Sequence, residues 1–208
     1  MTSDNNAIAQ LRKSALAARR SLTDKSRACA SSKSCNHIIH SHEFMSCKIV
    51  ACYLPVSHEV DPTTIVERAW HAKKRVFTPV IDRRGNMIFR QITPDTKLER
   101  NFFGIWEPVS GPYVSASTID LVIAPVVAFD NQHNRIGMGG GYFDRCFSFL
   151  QHRHNWLRPK LVGAAFDCQK IEKITPNPYD IRLYQVVTEN SQVTSPLFRV
   201  TRAARIVL

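Results

Sequence analysis

The chain has 208 residues, 44% apolar, 9% aromatic and 22% charged, a composition that excludes a disordered or collagen-like protein and suits a single domain. The longest apolar run, 121–129, is interrupted by Pro125 and is well short of the ~20 residues of a bilayer crossing. The start MTSDNNAIAQLRKS has no apolar stretch before its first charges, so neither a membrane span nor a secretory signal is expected, and the protein is expected in the cytoplasm. Twenty-eight Lys and Arg against 17 Asp and Glu give +11, a balance that raises nucleic acid as a partner. The excess is spread thinly, with 8 basic and 4 acidic residues in 1–60, 11 and 9 in 61–149, and 9 and 4 in 150–208. Short clusters at 19–20, 73–75 and 83–84 read as solvated faces, and a small anionic ligand fits this surface better than a polynucleotide. None of the six cysteines stands in a C-x-x-C pair, and His37, His40 and His42 have no thiolate partner nearby. Reduced thiols and no zinc site are therefore expected.

In chain order, Ile8, Leu11, Ala15 and Ala18 recur at helical spacing over 5–20, with Arg12, Arg19 and Arg20 off that face. Thr23 suits the N-cap of a second helix running to residue 41. KIVACYL, 48–54, has the β-branched and aromatic content of a buried strand and ends at Pro55. Asp61 then serves as N-cap and Pro62 as first residue of a helix to residue 73, with a second strand at 75–80. This βαβ rhythm favours parallel strands with helices on the faces. The turn DRRGN precedes MIFRQI, 87–92, which predicts an antiparallel hairpin at the sheet edge. Residues 93–117 hold three prolines and two glycines and read as one long loop, a length that is usually functional. A central strand is predicted over 121–129, a polar turn over 130–134, a helix over 142–150, and further strands at 160–166 and 184–188. Residues 191–208 carry no assignment beyond a C-terminal tail.

Between that central strand and the helix lies RIGMGGGYFDR, 135–145. A strand, a glycine loop and a helix start concentrate backbone N–H groups and the positive end of a helix dipole, which makes a ready anion site. Arg135 supplies a guanidinium for phosphate oxygens at the loop's entrance. The loop is neither a Walker A, which ends in G-K-[S/T], nor a G-x-G-x-x-G dinucleotide fingerprint. Asp144, in the first turn of the helix, suits Mg²⁺ beside the same phosphates, or merely complements the helix dipole.

These residues resemble the 5-formyltetrahydrofolate cyclo-ligase (5,10-methenyltetrahydrofolate synthetase) family, in its bacterial form. The resemblance runs from about residue 8 to 189 and is carried by APVVAFDNQHNRIGMGGGYFDR (124–145), YLPVSHEVD (53–61), NFFGIWEP (101–108), DCQ (167–169) and YDIRLYQVVTE (179–189). It implies a three-layer αβα sandwich with a mostly parallel central sheet, Rossmann-like, as one catalytic domain over 1–190. The implied reaction cyclises 5-formyltetrahydrofolate to 5,10-methenyltetrahydrofolate, using ATP and Mg²⁺ and releasing ADP and phosphate. Carried over by position, the resemblance puts Arg12 on the ATP phosphates and makes Arg135, Ile136, Gly137, Met138, Gly139, Gly140, Gly141, Tyr142 and Phe143 the ATP loop. Arg12 and Arg135 are then the catalytic cations, Leu54, Glu59 and Trp106 the folate contacts, and Asp144 and Asp180 the metal ligands. The implied partner is a small molecule, with or without a polyglutamate tail, and the expected state is a monomer without nucleic acid or membrane. One departure stands out: the family often has lysine four residues before Arg12, where this chain has Ile8.

The chemistry fits a site without a nucleophile. A formyl oxygen is a poor leaving group until phosphorylated, after which the substrate's own N10 can attack; the protein's task is positioning and charge neutralisation. Plainer alternatives remain: Glu59 as a solvated loop residue, Trp106 as packing, Asp180 as the start of a turn. Two rival functions also remain, a basic nucleic-acid-binding module with Tyr142 and Phe143 as stacking platforms, and a nucleotide-dependent kinase or ligase acting on another substrate.

Overall fold

The structure, a computed structural model, describes residues 2–102, 104–152 and 158–194. Helices α1 (Thr2–Arg20), α2 (Asp24–Ile39) and α3 (His42–Ser46) precede β1 (Ile49–Cys52), α4 (Thr63–His71), β2 (Arg75–Ile81) and β3 (Met87–Ile92). Next come the short strands β4 (Leu98–Arg100), β5 (Trp106–Pro108) and β6 (Tyr113–Val114), then β7 (Leu121–Pro125), β8 (Ala128–Phe129), β9 (Arg135–Ile136) and α5 (Tyr142–Phe147). The chain continues through β10 (Lys160–Ala164), β11 (Gln185–Val187) and β12 (Gln192–Thr194).

One eight-stranded sheet, in the order β12-β11-β10-β7-β1-β2-β3-β6, forms the middle layer. Strands β11, β10, β7, β1 and β2 pair in parallel, and β12, β3 and β6 add antiparallel edges. Side chains alternate across it. Val50, Cys52, Val76, Leu121, Ile123 and Val162 join Ile38 of α2 and Ile65 and Ala69 of α4 on one face. Ala51, Phe77, Phe89, Val122, Ala124 and Leu161 join Phe147 of α5 on the other. The α/β sandwich expected from the resemblance is therefore present, with both faces covered as parallel strands require.

The chain builds rightward from β1 through α4 to β2, then returns to place β7 on the other side of β1 and continues leftward through α5 to β10. Right-handed crossovers in opposite directions put α4 and α5 on opposite faces. The reversal lies between β1 and β7, and the loops leaving the carboxyl ends of those two strands necessarily diverge there and leave a crevice.

Local chemistry sets several boundaries. Thr23 caps α2 as expected, its Oγ1 accepting from Ser26 N at 3.2 Å. The second helix stops at Ile39 rather than 41, because Ser41 caps α3 by accepting from Phe44 N. Asp61 receives the N–H of Thr63 at 3.0 Å, so α4 begins one residue later than expected. The 93–117 segment is not one loop: β4 and β5 form a ribbon, and β6 joins the sheet edge. The strand predicted over 121–129 is broken too. After Pro125 the chain leaves the sheet, and β8 pairs instead with β9 as a separate hairpin. Of the tail, Gln192–Thr194 pairs with β11, while residues 195–208 lie outside the described residues.

Phe147 is fully buried and packs against Phe89 and Phe143, each at 5.9 Å between ring centroids. Phe147→Ala is expected to cost about 3–5 kcal/mol, read as a lowered midpoint in urea unfolding monitored by circular dichroism.

Candidate functional site

The β8–β9 hairpin carries the glycine loop, and a buried carboxylate builds it. Asp130 is 2% exposed. Its Oδ1 accepts from the backbone N–H groups of Gln132 at 2.9 Å and Asn134 at 3.0 Å, and its Oδ2 from Asn134 Nδ2 and Ile174 N, both at 2.9 Å. The break after β7 leaves carbonyls at Val126 and Val127, and the amide of buried Gln169 donates to both, at 2.6 and 2.9 Å. Gln169 thus gives the DCQ motif a structural meaning. Helix α1 packs across the hairpin through Ile8, Leu11, Ala15 and Leu16 against Val127, Ala128, Ile136 and Ile174. Ile8, standing where the family often has lysine, is part of this seam.

From β9 the chain turns through Gly137–Gly141 into α5. Gly139 has φ +100° and Gly141, the N-cap, φ +63°, a left-handed region that glycine alone enters freely. A Cβ on Gly139 would stand 3.7 Å from the Arg12 guanidinium, so the loop's main chain lies directly beneath that side chain. Arg12 Nε donates to the Gly137 carbonyl at 2.8 Å and has no carboxylate partner among the described residues. Arg12, expected on the ATP phosphates, stands against the glycine loop, brought there by the α1 seam. Met138 is exposed at the loop's tip, Ile136 turns inward into the α1 seam, and the Tyr142 ring covers Gly140 with Arg145 stacked on it at 5.0 Å.

Arg135 stands differently from the free phosphate cation expected of it. Its side chain is 6% exposed, donating through Nη1 to the Ile181 carbonyl at 2.5 Å and through Nη2 to Asp144 Oδ1 at 2.9 Å, above the Phe143 ring. Asp144 Oδ1 also accepts from Ile181 N at 3.1 Å. Arg135 and Asp144 therefore clamp the peptide that follows Asp180 against the helix start, bringing the Asp144 and Asp180 segments together. Asp180 Oδ2 accepts from Asn177 N at 2.7 Å, as in a turn. Oδ2 of Asp144 and Oδ1 of Asp180 take no hydrogen bond from the described residues. No group of three or more His, Cys, Asp or Glu able to hold a metal is present among them.

Across the switch point, Leu54 and Glu59 lie on the loop leaving β1. Tyr53 ties this loop down, its hydroxyl donating to the Val60 carbonyl at 2.6 Å. Glu59 is not a solvated loop residue: its side chain is 8% exposed, with Oε2 accepting from Val56 N at 3.1 Å. Burial pushes its carboxyl above the usual range, opposed by that N–H and by Arg19. Arg19, placed off the inner face by spacing, is buried instead, with Nη1 3.8 Å from Glu59 Oε1. Its guanidinium pKa is lowered by burial and raised by Glu59. Sequence reasoning missed it because the groups that face it, Tyr53, Glu59 and Cys168, lie far from α1 in the chain. Trp106, on the β4–β5 ribbon beside β2 and β3, is 43% exposed with Arg100 stacked on it at 5.0 Å. Glu107 anchors this ribbon by accepting from Asn101 Nδ2 at 2.7 Å. All six cysteines are free, and burial pushes Cys35 up to about 12 and Cys47 and Cys146 to about 11, so these thiols stay protonated.

A glycine loop on one side of the switch point and a buried carboxylate on the other define a doubly wound α/β protein of the small-molecule class. The chain belongs to the 5-formyltetrahydrofolate cyclo-ligase family, a ligase family of folate metabolism, whose model matches residues 4–189. The Escherichia coli (strain K12) 5-formyltetrahydrofolate cyclo-ligase is 38% identical over 143 residues, 67% of this chain and 76% of that protein. The Haemophilus influenzae enzyme of the same name is 30% identical over 157 residues, 73% and 81% respectively. The NMR structure of Aquifex aeolicus 5,10-methenyltetrahydrofolate synthetase superposes with a TM-score of 0.78 at 29% identity, covering 91% of this chain and 93% of that one. The Mycoplasma pneumoniae synthetase, 22% identical with a TM-score of 0.68, shares the fold.

Arg135→Met removes the donor to Ile181 and leaves the Asp144 carboxylate without its cation. With Asp144 27% exposed and solvent able to recover part of its hydration, a loss of about 1–3 kcal/mol is expected. It should appear in urea unfolding whether or not nucleotide is present.

Proposed function

We propose that this protein catalyses the ATP-dependent cyclisation of 5-formyltetrahydrofolate to 5,10-methenyltetrahydrofolate, with release of ADP and phosphate. The observation that carries this reading is the meeting of Arg12 with the Gly137–Gly141 loop at the start of α5, across the switch point from the buried Glu59 carboxylate. The family supplies the reaction; the residues supply what it needs.

The loop suits a polyphosphate. Its glycines carry no side chains to hold a polyphosphate off the main chain, Arg12 overhangs it, and the first turn of α5 adds the helix dipole. Asp144 and Asp180 suit Mg²⁺, a hard cation commonly held by one or two carboxylates plus substrate phosphates. Each keeps one carboxylate oxygen outside the bonds described above. Bound there, Mg²⁺ would draw charge from the phosphates. Arg135 holds the Asp144 and Ile181 ends of this arrangement together, so its role in the reading is to support the metal carboxylates, and Arg12 is the guanidinium that reaches the phosphates.

In the reaction the formyl oxygen attacks the γ-phosphorus and ADP leaves. N10 then attacks the activated carbon, loses its proton and expels phosphate. Neither step needs a protein nucleophile, in keeping with the protonated buried thiols. Arg12 and the loop N–H groups neutralise charge developing on the transferred phosphoryl. Glu59 accepts pterin N–H donors and fixes the ring, with Leu54 and Trp106 as apolar walls. The charge of +11 suits a folate with a polyglutamate tail. We take 1–190 as the catalytic domain, its sheet extended by Gln192–Thr194, and the protein as a cytoplasmic monomer. No helix among the described residues is long and apolar enough to cross a membrane.

Purified protein given 5-formyltetrahydrofolate and Mg-ATP should generate the absorbance of the methenyl product. Arg12→Ala should lower kcat/KM for ATP on the order of 10²–10³-fold, while Cys146→Ser should leave turnover near wild type. Absence of product with every component present would overturn the reading.

A further inference from the structure

Glu59 has a partner whose own bonding is incomplete. Arg19, the second-last residue of α1, is buried, yet its Nε and Nη1 have no hydrogen-bond acceptor among the described residues. Buried N–H groups are nearly always paired, and leaving them unpaired costs stability. The closest charge is Glu59 Oε1, and 3.8 Å is an ion-pair distance without a hydrogen bond. Glu59 Oε2 is already taken by Val56 N. A direct bond from Arg19 would occupy Oε1 as well and leave the carboxylate little to offer a ligand. The observed arrangement supplies positive charge and leaves Oε1 as an acceptor.

We propose that Arg19 is a positioning residue for the folate, holding Glu59 ionised and aimed while leaving Oε1 free to accept a pterin N–H. This rests on the assignment of Glu59 to the folate. Arg19 lies seven residues after Arg12, two helical turns or about 10 Å along α1. One rigid helix therefore spaces the cation over the nucleotide loop from the cation beside the folate carboxylate. Among the described residues no other charge acts on Glu59, to which Val56 contributes its N–H; the Tyr53 hydroxyl and Cys168 thiol that face Arg19 both have raised pKa values and stay neutral, leaving Arg20 as the other charge acting on Arg19. Burial already raises the Glu59 pKa and Arg19 opposes it. Removing the Arg19 charge therefore raises it further, and folate binding fails at a higher pH on the acid side.

Steady-state kinetics of Arg19→Met, Arg19→Lys, Glu59→Gln and the Arg19→Met/Glu59→Gln double variant test this, with the methenyl absorbance as readout. Arg19→Met should raise KM for 5-formyltetrahydrofolate about tenfold, the effect of one pKa unit of lost interaction, with KM for ATP unchanged. The acid limb of its kcat/KM profile should move to higher pH. Arg19→Lys, which keeps the charge, should restore most of that limb and supplies the comparison if Arg19→Met fails to fold. The double variant should be no worse than Glu59→Gln alone. If Glu59→Gln impairs folate binding while both Arg19 variants keep the wild-type KM and acid limb, the role of Arg19 is overturned and that of Glu59 stands. Equal damage to both substrates' KM without a pH shift also overturns it, marking Arg19 as a packing residue. A wild-type KM in Glu59→Gln overturns the folate assignment itself.

Discussion

Asp130 is the constraint from which the candidate site follows. A carboxylate buried this deeply is costly unless its oxygens are filled, and here each oxygen accepts two N–H groups, three from the turn it closes and one from Ile174. Those bonds close the turn between β8 and β9 and tie it to the 170s segment. The hairpin in turn gives α1 a surface to dock on and sends Arg135 and the glycine loop toward the crevice. Gln169 does the companion task by filling the carbonyls that the broken strand leaves open. Without these two buried polar groups, 126–136 would have no reason to leave the sheet, and the loop would not face β1.

From that hairpin the site is assembled by elements far apart in sequence. Arg12 comes from the first helix, the glycine loop from the middle of the chain and the Ile181 clamp from near its end. Their meeting point is where the winding of the sheet reverses, the one place where loops from adjacent parallel strands diverge. Arg135 and Arg12 divide the labour there. Arg135 is buried and spends its fork on Asp144 and Ile181, while Arg12 lies over the loop with its charge unpaired by any described carboxylate.

The surface charge has a related logic. The +11 excess is not gathered into a track, and the cations that matter at the site are held singly, two of them on α1. The same helix brings Arg12 to a phosphate loop and Arg19 to a carboxylate, so the apolar seam of Ile8, Leu11, Ala15 and Leu16 controls a geometric relation between two binding regions. Ile8, where the family often has lysine, is part of that seam.

Much was legible in the residues alone. Short apolar runs marked β1, β2, β3 and β10; the Asp82–Asn86 turn marked the β2–β3 hairpin; Thr23 marked the start of α2. The glycines of 137–141 before an aromatic helix start marked the anion loop, because few other local structures need such a run. These signals are local, arising from propensity, capping and turn chemistry over a few residues. What the residues could not disclose depended on distant partners. The apolar stretch 121–129 reads as one strand because its break is stabilised by Gln169 and Asp130 rather than by its own sequence. Arg19 reads as a surface residue because the groups that face it, Tyr53, Glu59 and Cys168, come from distant parts of the chain, and Arg135 reads as a free cation because its acceptor is the carbonyl of Ile181. The amino-acid sequence by itself determined the family, the glycine loop and most of the helices and central strands. Only tertiary packing decided which charges are buried, which are paired and which are left facing the crevice, because burial and pairing are set by neighbours brought in from elsewhere in the chain.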